Sequence, residues 1–103
     1  MAYKLLISMD AHNDVDDIVS YIVSELDSPV AAAEFIDELQ DHYKRVIDRP
    51  HLYSYCQDER LHHLGYRKIV IKNYLVLYRV DEEKKTIYIV RVIYGRRNYP
   101  EML

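Results

Sequence analysis

Arginine and tyrosine side chains gather near the C-terminus, where an apolar run ends abruptly at Gly95. The next residues include Arg96, Arg97 and Tyr99. Arginine offers a permanently charged, planar fork that suits phosphate oxygens, and the end of a strand places side chains accurately. The residues alone leave two interpretations open. The arginines bind phosphate, or they pair with acids elsewhere and fasten the C-terminal tail.

Further basic residues occur on three other segments with β-strand character. Arg67 and Lys68 open the first segment, and Arg79 and Arg91 lie in the next two. Side chains alternate between the two faces of a strand, so each of these later segments carries its arginine on one face only. Because an arginine is rarely buried alone, we expect the faces of Arg79 and Arg91 to meet solvent or a partner.

Several kinds of chemistry have no signature in this sequence. Cys56 is the only cysteine, and His62 and His63 are adjacent with no third ligand at a recognisable spacing. There is no nucleophile triad, phosphate-binding glycine-rich loop or zinc motif. We therefore expect no cofactor and no metal, and a free thiol at Cys56.

Charge is distributed unevenly along the chain, although the net charge is only −3. Residues 9–48 hold eleven acids against two bases, and residues 60–97 hold ten bases against three acids. If these halves form opposite faces, the basic face can meet phosphate. The alternative is that the two halves neutralise each other across the fold.

The length of 103 residues suits one domain, residues 1–103, with one modest core. No apolar run reaches the roughly 18 residues that a membrane-spanning helix needs, and the N-terminus lacks the pattern of a signal peptide. We therefore expect a cytoplasmic protein that does not bind membranes.

Hydrophobic periodicity predicts the order β-α-α-β-β-β. Residues 3–8 form a short apolar run, and a stripe at helical spacing follows from about residue 10 to Leu26. Ser28 and Pro29 have the character of a helix start, and Pro50 ends that second helix. After a surface connection, β-branched and aromatic runs predict three strands, at residues 66–71, 74–80 and 86–94. We therefore predict an α+β fold in which an antiparallel meander sheet packs on an N-terminal helix hairpin.

Three stretches of the chain resemble the RelE/ParE toxin superfamily, the toxins of bacterial type II toxin–antitoxin systems. IVSYIVSELDSPVAAAEFIDEL resembles its helix hairpin, YRKIVIKNYLVLYRV its middle β-hairpin, and VIYGRRNYPEML its closing strand and tail. The resemblance spans nearly the whole chain in the right order. It implies a growth-inhibiting toxin that a cognate antitoxin silences, within a toxin–antitoxin hetero-oligomer.

The superfamily contains two activities of different class. RelE-like members enter the ribosome and cut messenger RNA without a metal, whereas ParE-like members bind DNA gyrase and hydrolyse nothing. RNA cleavage requires charge stabilisation and proton transfer, which arginine and tyrosine can supply. On the RelE-like interpretation, the implied catalytic residues are Arg67, Arg96, Arg97 and Tyr99, and the implied RNA-binding residues are Lys68, Arg79, Arg91 and Tyr94.

Two positions depart from the RelE-like pattern. Leu75 stands where those enzymes carry an arginine early in the third strand, and Tyr94 stands where other relatives have a histidine. A gyrase binder tolerates Leu75, because it needs no acid and base. We expect messenger RNA cleavage on the ribosome, with gyrase inhibition and a toxin fold without activity as the alternatives.

Overall fold

The computed structural model describes residues 3–95 and 99–103. The elements are β1 (Lys4–Ile7), α1 (Met9–Ser24), α2 (Pro29–Asp48), α3 (Glu59–His63), β2 (Arg67–Ile71), β3 (Tyr74–Asp81), β4 (Thr86–Tyr94) and a 3₁₀ turn (Tyr99–Met102). The predicted α+β fold and its element order are confirmed. The short helix α3 is an addition within the segment that we predicted as a connection.

The four strands form one sheet in the order β1-β4-β3-β2. The pairs β2–β3 and β3–β4 are antiparallel, as the short polar breaks between them predict. In contrast, β1 lies parallel to β4, so the sheet is mixed rather than purely antiparallel. No tight turn joins these two strands, because three helices and two strands separate them in the chain. Their relative direction is therefore free of the hairpin constraint.

The start of α1 is tied to the sheet by a serine. Ser8 Oγ accepts the N–H of Ala11 at 3.0 Å, which caps the helix, and donates to the carbonyl of Val90 at 2.7 Å. One hydroxyl thus accepts a hydrogen bond from a free N–H at the start of α1 and connects that end of the helix to β4. This fixes α1 across the end of the sheet.

The helix hairpin turns between Ser24 and Pro29, as the sequence predicts. Ser28 Oγ accepts the N–H of Ala31 at 3.2 Å and caps α2, whose first residue is proline. Leu26 lies beyond the end of α1 and is 55% exposed, so its predicted place on the buried stripe is wrong. Asp27 occupies the left-handed backbone region, with φ 49°, and reverses the chain direction after α1.

The main core lies between the helix hairpin and one face of the sheet. We call the sheet face toward these helices the helix side. Its fully buried side chains include Phe35 and Val46 of α2, and the sheet residues Ile69, Val76, Tyr78, Ile87 and Ile89. This packing matches the amphipathic pattern of the two helices.

A second core lies on the opposite face of the sheet, which we call the helix-free side because neither long helix covers it. Leu61 of α3 and Cys56 pack there on residues of β3 and β4. The C-terminal turn completes the cover with Tyr99, Met102 and Leu103. Part of this face is therefore covered, although α3 has no periodic hydrophobic pattern from which it could be predicted.

A β-bulge changes the faces of β4. Relative to β3, this strand has one extra residue, Val90, between Ile89 and Arg91. Ile89 therefore packs in the main core, whereas Ile93 packs in the second core. Strict alternation places both on one face together with Arg91, and this prediction is wrong because the bulge shifts the pleat by one residue.

Two tyrosines with buried hydroxyl groups, Tyr43 and Tyr78, differ in hydrogen bonding and give a paired stability prediction. The Tyr78 hydroxyl donates to the carbonyl of Pro50 at 2.9 Å, whereas that of Tyr43 has no hydrogen-bond partner among the described residues. We expect Tyr78→Phe to lower the free energy of unfolding by about 1 kcal/mol, and Tyr43→Phe to leave it unchanged or slightly higher. Urea denaturation of both variants measures the difference, and the reverse order of stabilities contradicts it.

Candidate functional site

Arg67, predicted as catalytic, is held by the segment before α3. Its Nη1 donates to the carbonyl of Tyr53 at 2.6 Å, and its guanidinium lies 3.9 Å from the centre of the Tyr55 ring. Tyr53 is anchored in turn, because its hydroxyl lies 2.6 Å from Nδ1 of His42 on α2. Arg67 thus fastens this segment to the edge of the sheet in the described structure.

Lys68 and Tyr99 both lie near Cys56 on the helix-free side. Burial raises the pKa of the Cys56 thiol, and the positive charge of Lys68 opposes that shift only in part. Burial likewise raises the pKa of Tyr99, and Cys56 and Asp58 add to the effect. The pKa of neither group is lowered toward neutral pH, where a general base or a nucleophile is most effective.

Leu75 lies in the second core and is 9% exposed. It packs with residues of the C-terminal turn, so it belongs to the apolar core of this face.

Gly95 donates its N–H to the carbonyl of Asn73 at 2.7 Å, and an added Cβ would lie 3.2 Å from that oxygen. Glycine therefore suits the point where the chain leaves β4.

Arg91, predicted to bind RNA, forms a bidentate ion pair with Asp14 of α1. The distances are 2.7 Å from Nε to Oδ2 and 2.9 Å from Nη2 to Oδ1. Asp14 Oδ2 also accepts the N–H of Val92 at 2.9 Å. The arginine therefore faces an acid of its own chain rather than solvent, and the expectation of an open Arg91 face is wrong in this respect. Sequence reasoning missed Asp14, because nothing in the pattern distinguishes it from the other acids of α1.

Tyr94 lies in a groove between α1 and the outer edge of β4. Strand β1 pairs with β4 only as far as Ile89, so among the described residues the last residues of β4 have no strand on that edge, whereas β3 pairs with their other edge. The groove has a volume of about 470 Å³, and Asp17, Ile18 and Tyr21 form its helical wall. Such a groove, apolar with aromatic and acidic groups, can bind an extended or helical peptide.

Arg79 is exposed on the helix-free side, as predicted. Its guanidinium lies 5.3 Å from the centre of the Tyr66 ring, which is a cation–π distance. Arg79 forms no ion pair with a carboxylate among the residues that the structure describes. It is therefore able to interact with a partner.

The acidic and basic halves of the chain neutralise each other in part. Besides Arg91 with Asp14, Lys72 lies 3.6 Å from a carboxylate oxygen of Glu34 and 3.7 Å from one of Glu38, both on α2. Each of the two interpretations of the charge asymmetry, neutralisation across the fold and a separate basic face, thus applies to part of the molecule. Sheet cations near the helices are paired, whereas Lys68 and Arg79 face away from the helices.

Arg96 and Arg97 lie outside the described residues, so the predicted phosphate site at the end of β4 is not located. The other predicted residues do not form one cluster. Arg67 contacts the segment before α3, Arg91 contacts α1, and Tyr94 lines the groove beside α1. Lys68 and Arg79 share the helix-free side, and Tyr99 packs in its second core.

Residues 3–95 and 99–103 lack two further features. No helix there is long and apolar enough to span a bilayer. No three histidine, cysteine or acidic side chains come close enough to share a metal ion.

Comparison with known proteins places this geometry in a defined class. Residues 5–99 match the family model of the ParE toxin of the type II toxin–antitoxin system parDE. No curated protein sequence matches significantly.

Solved structures share the same fold at low sequence identity. The RelBE2 toxin–antitoxin complex from Mycobacterium tuberculosis has 21% identity and a TM-score of 0.59, and the match covers 91% of this chain and 99% of that chain. The chromosomal ParDE system from P. aeruginosa has 20% identity and a TM-score of 0.70, over 89% and 95% of the two chains. A mutant of the E. coli toxin RelE in the free state has 15% identity and a TM-score of 0.70, over 99% and 93%.

The fold is therefore that of the RelE/ParE toxin superfamily, as the sequence resemblance implied. Because the family model covers nearly the whole chain, this protein belongs to the ParE toxin family and is the toxin of a type II toxin–antitoxin system.

Proposed function

We propose that this toxin arrests bacterial growth by binding DNA gyrase rather than by cutting messenger RNA. The observation that carries this proposal is the packing of Leu75, which stands in place of the RelE-like arginine, together with the hydrogen bond that holds the predicted catalytic residue Arg67. Leu75 is packed in the second core, and Arg67 is bound to the carbonyl of Tyr53. A protein-binding toxin needs complementary surface, not a matched acid and base.

Two features of the groove beside α1 support an antitoxin as the second partner. Its apolar and tyrosine-rich wall suits the burial of a peptide, and the outer edge of β4 offers backbone groups to an added strand. The matching family model describes the toxin of a toxin–antitoxin system, and the similar structure from P. aeruginosa is a ParDE toxin–antitoxin system. We place the antitoxin in this groove, in the bacterial cytoplasm, within a toxin–antitoxin hetero-oligomer.

Ribosome-dependent messenger RNA cleavage is the second candidate. Lys68 and Tyr99 both lie near Cys56 on the helix-free side, and Arg79 is exposed on the same side. Basic and phenolic groups that share one face favour contact with a phosphate backbone.

The two candidates predict opposite results for Tyr99→Phe. If the toxin binds gyrase, the variant stays toxic, because phenylalanine keeps the packing in the second core and only the hydroxyl is lost. We expect induced wild type and variant to block DNA synthesis and trigger the SOS response within minutes, with messages intact. Purified toxin should also inhibit supercoiling by gyrase in vitro.

Cuts inside translated messages that disappear in Tyr99→Phe, with no effect on purified gyrase, would establish RNA cleavage instead. Absence of any growth defect, with the protein expressed and folded, would favour a toxin fold without activity. Arg49→Ala is a control, because Arg49 is an exposed arginine at the end of α2, the helix that packs on the opposite face of the sheet.

A further inference from the structure

Three tyrosines line the groove beside α1. Tyr21 of α1 is 52% exposed, Tyr94 of β4 is 38% exposed, and Tyr74, the register partner of Tyr94 on β3, is half-buried. The ring centres of Tyr74 and Tyr94 lie 5.9 Å apart, with the ring planes at 78°. Tyr21 belongs to the helical wall of the same groove. We call these three residues the tyrosine cluster.

The phenol groups of the tyrosine cluster lie close enough to influence one another. Burial raises the pKa of Tyr74, and the neighbouring Tyr21 and Tyr94 raise it further. Tyr74 is therefore a neutral phenol at pH 7. Its ring keeps the electron-rich face of an aromatic side chain.

The floor of the groove is held in place by the main core. The ring of Tyr74 packs on Phe35 of α2, with 5.2 Å between the ring centres, and Phe35 is only 1% exposed. Pairing between β3 and β4 fixes the backbone of Tyr74 and Tyr94. A partner therefore meets a preformed surface and loses little binding free energy in ordering it.

The charges along α1 favour a basic occupant of the groove. This helix carries four acids and neither lysine nor arginine. Asp17, an exposed acid, lies one turn before Tyr21 on the same helix face and also lines the groove. Asp14 lines it too, but its carboxylate is bound to Arg91. Among the residues that the structure describes, no lysine or arginine lines this groove.

Aromatic rings beside a carboxylate suit a cation better than an anion or a neutral group. The face of a tyrosine ring attracts a guanidinium or an ammonium group within about 6 Å. This attraction grows when the cation is removed from water, which a groove of about 470 Å³ can do for one side chain.

We infer that the groove beside α1 recognises a basic side chain of the antitoxin, whose cationic group enters the tyrosine cluster and pairs with Asp17. This inference rests on the placement of the antitoxin under the proposed function, and it adds the chemistry by which that partner is recognised. The outer edge of β4 is available to the backbone of the same antitoxin segment.

The test uses the full-length toxin and two labelled synthetic peptides of eight residues. Both peptides alternate valine and threonine, and they differ at one central position, which is arginine in one and its neutral isostere citrulline in the other. Fluorescence anisotropy measures the two affinities. We expect the arginine peptide to bind at least fivefold more tightly, because only its side chain is charged.

NMR of the toxin with ¹³C-labelled tyrosine rings locates the bound peptide. We expect the ring signals of Tyr21, Tyr74 and Tyr94 to shift when the arginine peptide binds. The ring signal of Tyr55 should stay in place, since Tyr55 is exposed but lies on the segment before α3.

Two variants separate the aromatic contribution from the ion pair. Tyr94→Leu keeps an apolar side chain but removes one ring, so we expect the arginine peptide to bind about threefold more weakly or worse, with the citrulline peptide unchanged. We expect Asp17→Asn to weaken the arginine peptide about two- to fivefold. Because Asp17 is exposed, this variant tests the site even if Tyr94→Leu fails to fold.

Matched controls carry the same changes outside the groove, namely Tyr55→Leu and Asp16→Asn. Both residues are exposed and neither lines the groove, so we expect wild-type binding of both peptides.

The outcomes distinguish this inference from the proposed function. If both peptides bind equally and shift the cluster signals, the groove holds a peptide as proposed, but the recognition of a cation is overturned. If neither peptide binds, or if the cluster signals stay unchanged, the inference and the placement of the antitoxin both fail. A failure of gyrase inhibition leaves these results untouched.

Discussion

Replacing Asp14 with alanine should lower the free energy of unfolding by about 3 kcal/mol. The carboxylate accepts hydrogen bonds from Nε and Nη2 of Arg91 and also from the backbone N–H of Val92. Its side chain is 14% exposed and that of Arg91 is 20% exposed, so solvent replaces these bonds poorly. The variant leaves a largely buried charge and a backbone donor without a partner.

Urea denaturation followed by circular dichroism measures this effect. Asp17→Ala is the matched control, since Asp17 is an exposed acid one turn along the same helix, and we expect a change within about 0.5 kcal/mol. The double variant Asp14→Leu with Arg91→Met should regain part of the loss, because removing both charges relieves the unpaired one. Equal stabilities of Asp14→Ala and Asp17→Ala would show that the ion pair contributes little.

Leu61→Ala should lower the free energy of unfolding by about 3 kcal/mol, through the second core. Leu61 is fully buried between α3 and the sheet, so alanine leaves a cavity under a helix of only five residues. Such a short helix has little stability of its own and depends on this contact. We therefore expect the C-terminal turn, which packs on the same cluster, to loosen as well.

Leu64→Ala is the control for this prediction, because Leu64 follows α3 directly and is 47% exposed. We expect its change to be below about 1 kcal/mol. Hydrogen exchange adds a local measurement: the amide of Tyr66, which donates to the carbonyl of Leu61, should exchange faster in Leu61→Ala. If both leucine variants have the same stability, the second core is not a packed unit.

These two predictions concern the parts of the molecule that decide which interpretation of function is tenable. Asp14 directs Arg91 toward α1, and the second core encloses Leu75. Two of the positions at issue in RNA cleavage thus contribute to stability. Among the described residues, the groove beside α1 and the side chain of Arg79 on the helix-free side stay accessible.

The sequence by itself determined the elements and the fold class. Local signals were sufficient for this, because Ser8 and Ser28 cap helices through contacts within three residues, and a helical stripe or a run of β-branched residues is read over a short window. The family resemblance also came from the sequence, since three ordered segments span nearly all of it.

Only the tertiary structure decided the parallel direction of β1, the second core and the partners of the arginines. Each depends on contacts between residues far apart in the chain, such as Arg91 with Asp14, which no local pattern encodes. The bulge at Val90 had the largest consequence, because one extra residue transfers every following side chain of β4 to the other face. Residue type thus indicated which side chains could bind phosphate, but packing determined which of the described ones, among them Arg79, have no carboxylate of the described chain as a partner.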